Sequence, residues 1–126
     1  MNGRRSSLGS DAEDAVADFL YVQGFTILGR NLRLGPLELD LVAQKGALAV
    51  VVEVRTRSSS SFDGALSSIT PTKRRNLLRA TERLWCQLSK RVEIERLRID
   101  VAAVTFGPQG VTVEYFPGAI TAQSTY

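Results

Sequence analysis

The sequence predicts an α/β fold in which a central mixed β-sheet is flanked by helices, and three observations carry that expectation. Val50-Val51-Val52-Glu53-Val54-Arg55 is β-branched and apolar on both faces up to Glu53, the pattern of a central strand covered on both sides. Two segments, one around Val16, Phe19 and Leu20 and one around Leu77, Leu84 and Leu88, space their apolar residues as helices do. Shorter apolar runs bounded by Gly and Pro read as further strands.

Taken in order, Ser10-Asp11-Ala12-Glu13 has the form of a capping box, opening a helix that runs to about residue 23 and ends at Gly24. Residues 25–33 and 37–43 read as strands joined through Leu34-Gly35-Pro36, and Gln44-Lys45-Gly46 turns the chain into the strand 47–56. These three strands form a meander. Alternation along Leu37-Glu38-Leu39-Asp40-Leu41 puts the leucines on one face of the second strand and Glu38 with Asp40 on the other. After a polar loop at 58–61, Thr70 caps a long helix with Pro71 in its first turn, reaching about residue 89. Leu77, Thr81, Leu84 and Leu88, joined by Trp85, form its apolar stripe. Residues 97–105 and 111–116 are two further strands around Gly107-Pro108-Gln109-Gly110. With 126 residues, 44% of them hydrophobic, one domain with flexible ends at 1–7 and 121–126 is expected, Arg4 and Arg5 falling in the first of these.

Composition removes several chemistries. The chain has no histidine, so Ser-His-Asp catalysis, Cys-His catalysis and histidine-ligated zinc are excluded. Its single cysteine, Cys86, forms no internal disulfide and, beside Trp85 in a helix, is expected to pack in the core. No apolar run approaches the roughly 18 residues of a membrane span, and the N-terminus lacks a signal-peptide apolar region, so a cytoplasmic, soluble chain is expected. A net charge of +3 permits a polyanionic partner without requiring one.

Carboxylates are the chemistry left. Asp40 and Glu53 stand thirteen positions apart on adjoining core strands, and Arg55 shares a face with Glu53. Clustering carboxylates costs free energy through desolvation and repulsion, so a compensating cation is expected. That cation is either Arg55, in a plain salt bridge with Glu53, or a divalent metal. Oxygen ligands suit Mg2+ or Mn2+, which use one or two protein carboxylates and complete their shell with water and substrate phosphate. Lys73, Arg74 and Arg75 open the long helix where its dipole favours anions, a penalty that a bound phosphate would reverse. Arg75, Arg79 and Arg83 continue along one face, which reads either as a phosphate-binding row or as an ordinary solvated basic face.

The order Ala12-Glu13, Gly24-Phe25-Thr26-Ile27-Leu28, Arg30-Asn31-Leu32-Arg33, Glu38-Leu39-Asp40-Leu41-Val42-Ala43, Val52-Glu53-Val54-Arg55-Thr56-Arg57, Phe62, Lys73 and Ile99-Asp100-Val101 resembles the YraN family over residues 8–120. That family is similar to archaeal Holliday junction resolvases and to the PD-(D/E)xK nuclease superfamily. The resemblance implies a restriction-endonuclease-like fold and a Mg2+- or Mn2+-dependent endonuclease acting on branched or single-stranded DNA. It makes Asp40, Glu53 and Glu13 metal ligands, Arg55 the occupant of the motif's lysine position, and Glu38 a support behind the ligands. Arg57, Lys73, Arg74, Arg75 and Arg79 are the expected DNA contacts, and a homodimer suits the symmetry of a junction. Arg55 can supply charge but gives up no proton, so Lys73 is the candidate for an amine delivered from the helix. Ala12 and Leu37 stand where the family usually has glycine. A DNA-binding module whose nuclease site no longer cuts is the second reading, and a purely structural ion-pair protein the third.

Overall fold

The computed structural model describes residues 8–57, 66–91 and 93–121; the expected loop at 58–61, Phe62, Arg4, Arg5 and the ends at 1–7 and 122–126 lie outside them. Helix α1 (Leu8–Val22) leads into strands β1 (Thr26–Leu34), β2 (Leu37–Lys45) and β3 (Leu48–Arg57). A short 3-10 turn (Leu66–Ser68) precedes helix α2 (Pro71–Leu88), and strands β4 (Arg96–Gly107) and β5 (Gly110–Ile120) close the chain. The strands lie in the order β1-β2-β3-β4-β5: an antiparallel meander, a parallel β3–β4 pair bridged by α2, and an antiparallel hairpin. Among the described residues no helix is long and apolar enough to cross a membrane.

Val50, Val51 and Val52 are all fully buried because each face of β3 is covered by a helix. On one face Ala12, Val16 and Leu20 of α1 pack with Leu41, Ala43, Val50, Val52, Ala102 and Val104. On the other, Leu77, Ala80, Leu84 and Leu88 of α2 pack with Leu39, Val42, Val51, Ile99 and Val101. Each Val, Leu or Ile side chain so withdrawn from water contributes on the order of 1.5–3 kcal/mol, so the two layers hold the sheet from both sides.

Helix α2 starts as its sequence dictates. Thr70 is the N-cap, with extended backbone and a hydroxyl that accepts from the Lys73 N–H, and Pro71 follows where a missing N–H costs nothing. Its buried stripe, however, runs through Ala80 rather than Thr81, and both Trp85 and Cys86 are exposed, against the expectation of a core position for each. With Leu77, Ala80, Leu84 and Leu88 facing the sheet, positions 85 and 86 fall on the outer side of the helix. Helix α1 likewise departs from expectation. It begins at Leu8, so Ser10 and Glu13 already lie within the helix and Ser10 is no N-cap.

The expected alternation of β2 also fails at one place. Leu39 belongs to the α2-side core and Leu41 to the α1-side core, although residues two apart on a regular strand share a face. Strand β1 shows the same switch: Leu32 packs on the α2 side, while Arg30 pairs with Asp14 of α1. The residues between these pairs are Asn31, in left-handed backbone (φ 49°), and Asp40, which face each other between the partners Arg30↔Leu41 and Leu32↔Leu39. Both strands therefore exchange faces at Asn31 and Asp40. Strand β5 continues beyond the expected stop at Pro117, because an edge strand tolerates a residue without an N–H, and Ile120 pairs with Ile99 after a register shift.

Candidate functional site

The face switch decides where Asp40 points. The β2–β3 ladder ends with Leu41↔Val52, and at the next position the Asp40 side chain takes over: its Oδ2 accepts from the Val54 N–H at 2.9 Å. Asp40 therefore lies where β2 departs from β3, at the floor of a cleft of about 320 Å³. Gly9, Ala12 and Glu13 of α1 form one wall of the cleft and Val54, Arg55 and Thr56 the other.

Glu53 shares the α2-side face of β3 with Val51 and is 2% exposed. Two cations converge on its Oε2, Arg55 Nη1 at 3.4 Å and Lys73 Nζ at 3.7 Å, while Oε1 has no hydrogen-bond partner among the described residues. Burial, and next the charge of Asp40, push the Glu53 carboxyl up to about 7, against the opposing pull of Lys73 and Arg55. A carboxyl raised above its unfolded value of 4.5 adds stability that is complete below that pH and lost as pH rises through 7. The metal-free protein should therefore lose on the order of 3 kcal/mol between pH 4.5 and pH 8 through this group. Urea unfolding of Glu53→Gln should show that slope removed and a higher midpoint than wild type at pH 8.

Glu13 stands across the cleft. Its Oε1 accepts from Asn31 Nδ2 at 3.1 Å and lies 3.7 Å from Arg30 Nη2, while Arg30 is bound more closely to Asp14 at 2.8 Å. Burial, opposed by the Asn31 hydrogen bond, raises the Glu13 carboxyl above its ordinary value, and the nearby charge of Asp40 adds to the rise. Asp40 is thus within electrostatic reach of both Glu53 and Glu13, although Glu53 does not line the cleft, and among the described residues no group of three or more acidic, His or Cys side chains is arranged to hold a metal ion. Asp40 and Glu53 are the pair whose chemistry fits a divalent cation, given the orphaned Glu53 Oε1.

The other expected positions divide. Arg55 is held by Ser68, its Nε donating to Oγ and its Nη2 to the carbonyl, both at 3.2 Å, so it ties β3 to the 3-10 turn as well as to Glu53. Arg57 is paired with Glu114 at 2.6 Å. Arg75 donates to Thr72, Arg79 is exposed, and Arg74 stands beside Lys73 in the first turn of α2. Glu38 is exposed and does not line the cleft, so the structure does not bring it behind the ligands. Arg30, Asn31 and Ser68 contact the carboxylates or their cations without having been singled out from the sequence. The one signal was an asparagine, poorly suited to strands and tolerant of left-handed backbone, inside β1.

A family model described as "Uncharacterised protein family UPF0102" matches residues 12–104. The chain belongs to this family. A UPF0102 protein of Sorangium cellulosum, sce2912, is 48% identical over 117 residues, covering 91% of this chain and 81% of that one. A UPF0102 protein of Syntrophotalea carbinolica is 38% identical over 119 residues, covering 94% and 95% respectively. Among solved structures, an XisH family protein from Nostoc punctiforme superposes with a TM-score of 0.38 at 14% identity, covering 83% of this chain and 98% of that one, a likeness too loose to bear on chemistry. The UPF0102 match spans α1 through most of β4, and so includes Glu13, Asp40, Glu53 and Lys73.

Proposed function

We propose that this UPF0102 chain is a Mg2+- or Mn2+-dependent endonuclease of restriction-endonuclease-like fold, hydrolysing phosphodiester bonds in branched or single-stranded DNA. The observation that carries the reading is Glu53: a buried carboxylate beside Asp40, with one oxygen facing two cations and the other without a hydrogen-bond donor among the described residues. The two carboxyls are close enough to share a hydrogen bond when Glu53 is protonated, and a cation bound between them would take the place of that proton.

In this reading Asp40 and Glu53 hold the metal, and the Val54 N–H orients Asp40 for it. A metal held there would supply positive charge to the scissile phosphate and would acidify an attacking water. Lys73 brings an ammonium next to Glu53 from the start of α2, where it stabilises charge developing on the phosphate and carries a transferable proton. Arg55 fixes Glu53 against the 3-10 turn. Arg74, Arg75 and Arg79, with Arg57 at the end of β3, form the basic surface for the DNA backbone, and the two-fold symmetry of a junction favours a homodimer.

The commitment of Arg55 to Ser68 and Glu53 favours a second reading, a DNA-binding module with a site that no longer cleaves. Folded wild-type, Asp40→Asn and Arg55→Lys proteins, assayed on junction, flap, single-stranded and linear DNA with Mg2+ or Mn2+, separate the two. Metal-dependent cleavage lost in Asp40→Asn supports the nuclease. Salt-sensitive binding without cleavage, retained in Asp40→Asn, supports the binding module.

A further inference from the structure

We infer that Asn31 is a positioning residue for the carboxylate site, acting through Glu13; the inference rests on the nuclease reading and extends it. Among the described residues Asn31 alone, apart from glycines, has a positive φ. A glycine would hold that backbone with less strain, so the backbone conformation by itself does not call for asparagine. What asparagine adds is its amide, and the amide donates to Glu13 Oε1 at 3.1 Å.

The surroundings explain why that bond matters. Arg30 Nη2 lies 3.7 Å from the same Glu13 oxygen and 2.8 Å from Asp14. Released from Asn31, Glu13 is free to close on Arg30 and have its charge neutralised there. Held by Asn31, it keeps its place on the cleft wall opposite the strand that carries Arg55, sharing the cleft with Asp40. Its negative charge then favours a cation at Asp40 and Glu53 without Glu13 having to bind that cation itself. Asn31 also sits opposite Asp40 at the point where both strands exchange faces, so one residue sets the local backbone beside one carboxylate and the direction of another.

The test is Mn2+ affinity of the full chain, read from the EPR signal of free Mn2+, alongside urea unfolding of each variant. N31G should unfold at or above the wild-type midpoint yet bind Mn2+ about 10-fold more weakly, as outer supports of metal sites do when lost. E13Q should weaken binding to a similar extent. The double variant N31G/E13Q should bind no more weakly than E13Q alone, because Asn31 acts through Glu13.

Wild-type affinity in N31G, with binding abolished in Asp40→Asn, overturns the inference and leaves the nuclease reading standing. A further loss in the double variant, or a fall in the N31G unfolding midpoint that accounts for its weaker binding, also overturns it. Unchanged Mn2+ binding in Asp40→Asn overturns both.

Discussion

Asp100→Ala should destabilise the fold by about 3–5 kcal/mol, a large share of the roughly 5–15 kcal/mol that holds a typical domain together. Asp100 is fully buried on β4 and accepts from four donors: Arg98 Nε at 2.8 Å, Arg98 Nη2 at 3.0 Å, the Gly118 N–H at 2.7 Å and the Tyr115 hydroxyl. Alanine would leave a partly buried guanidinium, a phenol and a backbone N–H without their acceptor. The Gly118 bond also fixes the segment after Pro117, where the backbone turns through φ 63° before Ile120 rejoins β4. Burial and the bond to Asp100 hold the Tyr115 phenol well above its ordinary value, so it remains a donor across the physiological range. Tyr115→Phe removes only one donor and should cost about 1 kcal/mol. Urea midpoints at pH 7 check both values.

The second large effect is on rate. Lys73→Ala should lower metal-dependent DNA cleavage by about 10²–10³-fold, the scale of losing one preorganised charge at a reacting phosphate. The two cations at Glu53 are tied differently. Arg55 is engaged by Glu53 and twice by Ser68, whereas the Lys73 ammonium has Glu53 as its ion-pair partner and is 39% exposed. Lys73→Arg tests what the lysine supplies. A rate near wild type assigns it charge alone, and a loss as deep as in Lys73→Ala assigns it a proton. A cleavage rate unchanged in Lys73→Ala would remove the residue from the reaction.

Much of the fold was legible in the sequence because its strongest signals are local. The unbroken valine run marked β3 as a strand covered on both faces, Gly35 and Gly46 marked the hairpin turns, and Thr70-Pro71 marked the start of α2. Element order and type follow from such signals. The face of a particular side chain does not, and the structure departs from expectation there in two places. A two-residue period cannot register the left-handed Asn31, so the leucines of β2 were put on one face when Leu39 and Leu41 lie on opposite ones. The stripe of α2 admitted either Ala80 or Thr81, and the choice of Thr81 carried Trp85 and Cys86 into a core they do not enter.

The candidate site shows the same division. Asp40, Glu53 and Arg55 were identifiable as charges on or beside core strands, a costly placement that asks for a reason. That Lys73 reaches Glu53 depends on the crossover that returns α2 over the sheet, which residue spacing does not reveal. The Asp100 cluster joins residues as far apart as Arg98 and Gly118 across the β4–β5 hairpin, and only the folded register assembles it.

Anomalous diffraction from a crystal grown with Mn2+ tests the central claim most directly. A peak within bonding distance of the Asp40 and Glu53 carboxylates is expected, and it should be absent in Asp40→Asn. A map with no peak there, and with Glu53 engaged only by Arg55 and Lys73, would contradict it.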